Sequence, residues 1–212
     1  MKKARVPGRP RSETAREAIL TAAFALLAER GYGAFAIETV AAHAGVGKTT
    51  IYRWWASKAE LAIDAFLHAT DAEIRLPDTG SAERDFRAQI TDLAEVLRGP
   101  RGRAFAGMLA GSAADPTLGR ALGERVLEPR RRWGFERIVR AQRAGELRAG
   151  VEPMAALSVL YGPLYAPLLF GGEVPSAPEV AAYLDVACAG VFARRRRAAA
   201  AAPPGDPAAT IS

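Results

Sequence analysis

A short polar stretch near residue 50 carries side chains suited to binding DNA. Residues 48–58 contain two lysines, one arginine, two adjacent threonines and one tyrosine. These side chains hydrogen-bond base edges and phosphate oxygens in DNA grooves. Helical spacing predicts one outward face that holds Lys48, Thr49 and Arg53, where they would reach bases.

Three further side chains in this stretch are suited to phosphate contacts. Thr50 and Tyr52 supply hydroxyl groups, and Lys58 supplies a point charge at the predicted start of the next helix. Such contacts hold a protein on the DNA backbone without reading its sequence.

The elements that must position these residues are two short helices joined by a tight turn. Residues 37–44 place apolar side chains on one face, and Gly45 suits a left-handed turn residue. Residues 48–54 predict a second helix, with Ile51 and Trp55 inward. Small Ala41 allows a close crossing of the two helices, so the pattern predicts a helix-turn-helix.

The same residues also resemble the end of a phosphate-binding loop, because Gly47, Lys48 and Thr49 follow the pattern G-K-[ST]. That motif needs a glycine at position 42, which is Ala42. It must also follow a strand and open a long helix. A P-loop nucleotide hydrolase therefore remains only an alternative reading.

The net charge of +6 is concentrated at the two ends of the 212-residue chain. Residues 1–61 have ten Lys/Arg against five Asp/Glu, residues 62–193 have fifteen against seventeen, and residues 194–212 have four against one. A basic first quarter on a near-neutral body predicts a polyanion-binding module joined to another unit. A structural helical bundle with basic ends is a further alternative.

Helical periodicity predicts an all-α fold of two domains. Thr14 and Glu17 fit a capping box at the start of helix 1, and Gly31 fits its C-cap. We predict a flexible basic arm over 1–11, a DNA-binding domain over 12–58, a helical dimerisation and effector-binding domain over 59–197 and a disordered tail over 198–212. The helices are expected at about 14–30, 37–44, 48–54, 57–75, 81–98, 102–112, 115–127, 129–145, 153–170 and 177–195.

Other functions have little support in the residues. The uncharged segment 153–172 is long enough to span a bilayer, but Pro163 and Pro167 favour a buried or subunit-facing helix. The lone Cys188 excludes an internal disulfide and lies in an apolar stripe, which favours packing. We expect no metal, no cofactor and no catalytic residues, and hence no enzyme, because no suitable cluster stands out.

Residues 12–61 resemble the DNA-binding domain of the tetracycline-repressor (TetR) family of transcription regulators. The matching motifs are Arg30-Gly31-Tyr32, Val40-Ala41, Ala44-Gly45-Val46 and Thr50-Ile51-Tyr52, followed by Trp55, Lys58 and Leu61. In the C-terminal part, residues 143–148 and 162–165 resemble the second domain of one bacterial subgroup. The high ratio of arginine to lysine also suggests a bacterial genome rich in G and C.

The resemblance implies a cytoplasmic homodimer that binds a palindromic operator, most simply as a ligand-responsive repressor. It implies base contacts from Lys48, Thr49 and Arg53. Backbone contacts would come from Thr50, Tyr52, Trp54 and Lys58. Position 36, usually Ser or Thr in the family, is Ala36, and position 47, often Ser, is Gly47, a weaker N-cap. An activator, or a regulator that answers to a protein, has the same pattern.

The basic ends of the chain offer further contacts. Gly8-Arg9-Pro10 resembles the core of an AT-hook, so Arg5, Arg9 and Arg11 could enter a minor groove. A solvated tail that acts only through counterion release explains the same residues. The arginines at residues 194–197 could form a second polyanion contact. We favour the interpretation that they are cations stabilised by their position at the C-terminus of a helix.

The predicted second domain has two tasks. The segments 153–170 and 177–192 are the best candidates for a four-helix dimer interface. Five aromatic residues are candidates for an effector pocket, although all could equally be core: Phe105, Trp133, Phe135, Tyr161 and Tyr165.

Overall fold

A computed structural model describes the backbone of residues 9–70 and 77–193, with side chains from residue 13 onward. The described part is formed by ten α-helices and one π-helical turn. The helices are α1 (Arg9–Ala34), α2 (Ile37–Ala44), α3 (Lys48–Tyr52), α4 (Lys58–Thr70), α5 (Ala82–Arg98), α6 (Pro100–Ser112), α7 (Pro116–Leu122), α8 (Glu128–Arg143), α9 (Pro153–Leu169) and α10 (Ala177–Val191). The all-α prediction is confirmed.

Helix α1 starts earlier than the sequence pattern predicts. It begins at Arg9, so residues 9–11 of the predicted flexible arm are helical, and Thr14 lies inside the helix. The predicted capping box is therefore wrong about where the helix starts. Pro10 is compatible with this start, since the first helical turn has no intrahelical use for a backbone N–H. Gly31 adopts a positive φ of 68° and kinks the helix near its end, at the residue predicted to cap it.

The first three helices share one small core. Ile19 and Leu27 of α1 are fully buried, and so are Val40 of α2 and Ile51 of α3. Trp55, just after α3, is also buried. These side chains recur at helical spacing, and burying them stabilises a set of helices too short to be stable alone.

Helix α6 joins the first three helices to the rest of the molecule. It packs against the C-terminal end of α1 and also contacts α5, α7 and α9. A Cβ atom at Gly107 would lie only 3.0 Å from the Cα of Gly31, so the two backbones meet without side chains between them. Arg103 Nε of α6 donates a hydrogen bond to the carbonyl oxygen of Ala28, at 3.2 Å.

Helices α7 and α8 form one continuous run instead of the two separate helices predicted. The π-helical turn Gly123–Leu127 joins them. Pro129 follows this turn, and because its nitrogen carries no hydrogen, it cannot make the ordinary α-helical bond to the carbonyl four residues before it. Just before it, the N–H of Glu128 donates to the carbonyl of Gly123, five residues back, as in a π-helix.

A buried ion pair ties α5 to α8. Arg137 Nη2 lies 2.5 Å from Asp85 Oδ2, and both side chains are almost fully buried. The other carboxylate oxygen accepts bonds from the N–H and hydroxyl of Thr79 at 2.9 and 2.7 Å. Burial would raise the pKa of Asp85, but the hydrogen bonds from Thr79 and Arg137 outweigh it and lower the pKa.

Helix α9 continues without interruption through two internal prolines. It spans Pro153–Leu169 and includes Pro163 and Pro167. Within residues 9–70 and 77–193, no helix is both long and apolar enough to cross a bilayer. The same residues contain one isolated β-bridge, between Leu147 and Phe192, and no strand.

Candidate nucleic-acid interface and ligand cavity

The turn between α2 and α3 has the geometry that the sequence predicts. Gly45 is left-handed, with φ 65° and ψ 32°, and its N–H donates to the last carbonyls of α2. Gly47 is extended and precedes α3. Neither Ala36 nor Gly47 makes a side-chain capping bond, as their side chains dictate. The two helices are therefore joined as a helix-turn-helix.

Helix α3 is only five residues long, so its neighbours must hold it in place. Ile51 is fully buried beneath it, and Trp55 is 2% exposed. The indole Nε1 of Trp55 donates to Asp64 Oδ2 of α4 at 2.8 Å. Ser57 Oγ accepts from the Glu60 N–H at 3.1 Å and so caps the start of α4. These contacts position α3 from below and leave its other face open.

The open face of α3 carries the polar side chains singled out in the sequence. Lys48, Thr49, Tyr52, Arg53 and Trp54 are exposed, while Thr50 is half-buried. The guanidinium of Arg53 lies 6.0 Å from the ring centre of Trp54, within cation–π range. A cation, hydroxyls and a flat ring thus share one exposed surface, which suits contacts to bases and phosphates.

One acidic residue on α2 belongs to this surface and was missed by sequence reasoning. Glu38 Oε1 lies 2.9 Å from Lys48 Nζ. This hydrogen bond is the main reason that the pKa of Glu38 is lowered and that of Lys48 raised. The ten-residue separation gave no signal, because the two side chains meet only once the turn has folded.

Lys58 lies at the junction between the helix-turn-helix and the second domain. Its ammonium is 4.2 Å from the ring centre of Tyr32. The Tyr32 hydroxyl donates to Asp115 Oδ2, at the start of α7, over 2.6 Å. This bond is the first cause of the lowered pKa of Asp115. A predicted phosphate contact therefore adjoins a hydrogen bond between the two domains.

The arginines of the two basic ends lie outside the part of the chain whose side chains are described. They are the candidate minor-groove contacts Arg5, Arg9 and Arg11 and, near the C-terminus, Arg194 to Arg197. His43 is exposed, and its Nδ1 lies 2.8 Å from the carbonyl oxygen of Thr39.

The alternative of a nucleotide-binding loop does not fit the geometry around Gly47. The residues before it form α2, and the helix that follows ends at Tyr52. A phosphate-binding loop of that type connects a buried strand to a long helix. The turn therefore has the wrong neighbours for a P-loop hydrolase.

A cavity of about 430 Å³ opens between α5, α8 and α9. Volumes of about 300–1,000 Å³ are typical of small-molecule sites. Most of its walls are apolar. Its lining residues are Gln89, Leu93, Leu127, Arg130, Arg131, Trp133, Gly134, Met154, Leu157, Ser158, Tyr161, Gly162 and Tyr165.

Few polar groups face this cavity. The Tyr161 hydroxyl donates to Gln89 Oε1 at 2.7 Å. Burial raises the pKa of Tyr161 and of Tyr165, so both hydroxyls stay protonated at neutral pH. Arg130 Nη1 donates to the carbonyl of Val126 in the π-helical turn at 2.8 Å. Gln89 and Arg130 were not predicted as cavity residues. They are 41 positions apart, on different helices, and no sequence pattern connects them.

The five aromatic residues predicted for the pocket fall into three places. Trp133, Tyr161 and Tyr165 line the cavity. Phe105 does not line the cavity. It lies on α6 in the hydrophobic core, and its ring centre is 6.0 Å from that of Tyr165 and 5.9 Å from that of Phe66. Phe135 does not line the cavity either, because it points away from it on the exposed side of α8.

The last two helices expose apolar side chains on their outer faces. Val159, Leu169 and Phe170 at α9 are 51%, 61% and 88% exposed, and Val186 of α10 is 76% exposed. Cys188 faces the opposite way and is buried, and burial raises the pKa of its thiol to about 11. Its place among buried apolar residues agrees with packing.

Comparison with known proteins gives two family matches along the chain. Residues 19–65 match the family described as bacterial regulatory proteins, tetR family. Residues 76–187 match the tetracyclin repressor-like C-terminal domain. The first match contains the helix-turn-helix, and the second contains the cavity.

Individual relatives cover most of the chain. The HTH-type transcriptional regulator YdeS of Bacillus subtilis is 34% identical, over 78% of this chain and 84% of its own. The DNA-binding transcriptional repressor TetR of Mycobacteroides abscessus is 31% identical, over 79% and 88%. The solved structure of the TetR family transcription regulator SCO0332 is 32% identical, with a TM-score of 0.67, and the match covers 84% of this chain and 98% of that one.

Proposed function

The chain belongs to the tetR family of bacterial regulatory proteins and is a DNA-binding transcriptional regulator, and from this premise we propose that it is a ligand-responsive repressor. It acts in the bacterial cytoplasm as a homodimer on a palindromic operator, and it has no catalytic role. The observation that carries the proposal is the outer face of α3. Its polar side chains are exposed while Ile51 and Trp55 fix the helix from below.

The roles of the residues on this face follow from their chemistry. Arg53 and Lys48 offer donors to guanine, and Thr49 can contact either bases or thymine methyl groups. The second group holds the protein on the phosphate backbone: Thr50, Tyr52, Trp54 and Lys58. Gly47 allows the close approach of the turn to the DNA. Arg9 and Arg11 add contacts from the N-terminal end.

The dimer forms through the outer faces of α9 and α10. Val159, Leu169, Phe170 and Val186 would be removed from water by a second copy of the same faces. A two-fold axis pairs each patch with itself, which is the usual arrangement of a homodimer. It also sets two copies of α3 at a fixed spacing, as two half-sites of a palindrome require.

The repressor assignment rests on the relative from Mycobacteroides abscessus, a DNA-binding transcriptional repressor that is 31% identical. The ligand response rests on the cavity. Tyr165 in its wall contacts Phe105 of α6, and Phe105 contacts Phe66 of α4, the helix that follows α3. A ligand that binds better to one position of these helices would shift the spacing between the two copies of α3.

The first experiment measures DNA binding by fluorescence anisotropy at about 0.15 M salt, where screening is near physiological. The duplexes are the region upstream of the protein's own gene and a scrambled version of it. We expect the upstream duplex to bind about a hundredfold more tightly, within the range for specific sites. Equal affinities would contradict a specific operator in that region.

Three variants separate the contact types. Tyr52→Ala should weaken binding to both duplexes, since a phosphate contact carries no sequence information. Arg53→Ala should mainly reduce the preference, by about 1–3 kcal/mol if a bidentate base contact is lost. Arg120→Ala is the matched control, because Arg120 is exposed on α7. An unchanged preference in Arg53→Ala would remove Arg53 from the base-reading set.

The dimer is tested by light scattering coupled to gel filtration. Val186→Asp would place a charge in the proposed interface, so we expect a monomer and weaker operator binding. Thr117→Asp is the control, because Thr117 is exposed on α7, away from α9 and α10. A Val186→Asp protein that remains dimeric would contradict the proposed interface.

A further inference from the structure

The cavity contains one positive charge that no carboxylate in the described ranges neutralises. Arg130 is half-buried in the cavity wall, and its guanidinium makes one hydrogen bond, to the carbonyl of Val126. Within the described residues it has no ion-pair partner. Burial lowers the pKa of the guanidinium, although arginine stays protonated at neutral pH. A cation that is withdrawn from water and unpaired favours an anion as its partner.

The second arginine of the cavity differs from the first. Arg131 is exposed, and Glu128 accepts its Nε–H at 2.9 Å. Its charge is therefore already paired. Among the described residues, no acidic side chain lines the cavity. The cavity thus has room for one negative charge, and Arg130 determines where that charge would lie.

Neutral donors add to this preference. Gln89 is 5% exposed and accepts the Tyr161 hydroxyl through Oε1, which leaves its amide N–H groups without an acceptor in the described part of the chain. The Tyr165 hydroxyl is a further protonated group in the wall. A ligand that offers acceptors to these donors would bind more tightly than one that offers donors.

The remaining walls favour a flat apolar body. Tyr161 and Tyr165 are stacked, with ring centres 6.5 Å apart and an angle of 28° between the rings. Trp133 lines the cavity from α8, together with leucine and methionine side chains. Gly134 lies opposite Leu157 and brings α8 close to α9. Aromatic walls of this kind bury flat ring systems well.

We propose that the cavity binds a planar aromatic or similarly apolar molecule that carries a single carboxylate. The carboxylate pairs with Arg130, acceptors on the ligand meet Gln89 and Tyr165, and the ring system lies against Tyr161 and Trp133. The inference rests on the proposed function, in which this cavity is the effector site. It adds the chemical class of the effector.

The test uses three probes that share one ring system and differ in charge. They are 2-naphthoate, its neutral methyl ester and the cationic 2-naphthylmethylamine, titrated into the wild-type protein by calorimetry at neutral pH. We expect the carboxylate to bind at least about tenfold more tightly than the ester, which corresponds to a difference of about 1.4 kcal/mol in binding free energy. The amine should bind more weakly than either.

Two variants test whether the preference for a negatively charged probe depends on Arg130. Arg130→Gln should remove the preference for naphthoate over its ester. Arg132→Gln is the matched control, because Arg132 lies on the same helix but is exposed, pairs with Glu136 and does not line the cavity. If Arg130→Gln does not fold, the comparison of the three probes on the wild-type protein still decides the charge preference.

The outcomes distinguish this inference from the regulator proposal. Equal binding of acid and ester, tighter binding of the amine, or no binding of naphthoate would each overturn the carboxylate inference. Operator binding, measured on the same preparation without a probe, tests the regulator proposal separately. A protein that binds its operator but not naphthoate would keep the first proposal and lose the second.

Discussion

The outer face of α3 and the cavity between α5, α8 and α9 represent opposite ways to build a binding site. The α3 face is exposed, and apart from Glu38 its side chains come from the short stretch 48–58. The cavity is concave, and its side chains come from α5, the π-helical turn, α8 and α9, across residues 89–165. The first site depends on local order, and the second exists only once distant helices have packed.

The two sites also use charge differently. On the α3 face Lys48 is exposed to solvent and paired with Glu38, so salt and water weaken each of its interactions. In the cavity Arg130 is half-buried and has no ion-pair partner among the described residues, so a single charge has a larger effect there. A polyanion is therefore bound by many screened charges, whereas a small ligand can be selected by one charge in an apolar wall.

The largest predicted effect concerns the buried ion pair that joins α5 to α8, two of the helices around the cavity. Arg137→Met leaves the buried carboxylate of Asp85 without its cation, so the free energy of unfolding should fall by about 3–5 kcal/mol. Urea unfolding followed by circular dichroism measures this loss. The double variant Arg137→Met/Asp85→Leu is the control, and it should recover part of the stability because the fully buried carboxylate is removed as well.

The same variant has a defined pH dependence. The lowered pKa of Asp85 stabilises the wild-type protein above the usual aspartate pKa, and this stabilisation is lost as the pH falls through the lowered value. In Arg137→Met the carboxyl is protonated more easily, so the difference from wild type should shrink in acid. A difference that grows as the pH falls would contradict the ion pair as the cause.

A moderate effect is expected where the two regions meet. Tyr32→Phe removes the hydrogen bond to Asp115 while keeping the ring beneath Lys58, so we expect a loss of about 0.5–1.5 kcal/mol in unfolding free energy. The pKa of Asp115 should rise toward its usual value, and the loss should therefore be full at neutral pH and should shrink as the pH falls through the lowered pKa of the wild-type carboxyl, below which both proteins are protonated at this residue. Equal losses at neutral pH and below that pKa would argue that the ring position, and not this bond, had changed.

The smallest predicted effect concerns the α3 face alone. Glu38→Gln removes a negative charge beside the α3 face and releases Lys48 from its ion pair. Operator affinity should therefore rise about two- to fivefold at low salt and less at high salt. Anisotropy titrations at two salt concentrations measure it. Glu29→Gln is the control, since Glu29 is an exposed carboxylate that pairs with Arg30. Weaker binding in Glu38→Gln would show that Glu38 orients Lys48 for the DNA.

Helix positions were largely predictable because their signals are local. Phe86, Ile90, Leu93 and Leu97 recur at helical spacing and are all buried in α5. Gly45 was expected to be left-handed, and it is. The errors arose where the signal was ambiguous: Thr14 resembled a cap but lies inside α1.

Contacts between distant residues could not be read from the same patterns. The sequence predicted separate helices at 115–127 and 129–145, yet the chain stays helical through a π-helical turn, where Leu122 and Val126 pack in the core. The aromatic candidates for the pocket were equivalent in sequence. Only packing separates Trp133, Tyr161 and Tyr165 in the cavity wall from Phe105 in the core and Phe135 on the surface.

Local patterns were sufficient to predict the helix-turn-helix, its outward polar residues and the family, because helical spacing and turn chemistry act within a few residues. Three features followed only from the folded arrangement: Glu38 meets Lys48, Tyr32 links the domains through Asp115, and Arg130 lies in an apolar cavity with no ion-pair partner among the described residues. These facts depend on side chains far apart in the chain, and close packing of the helices brings them together.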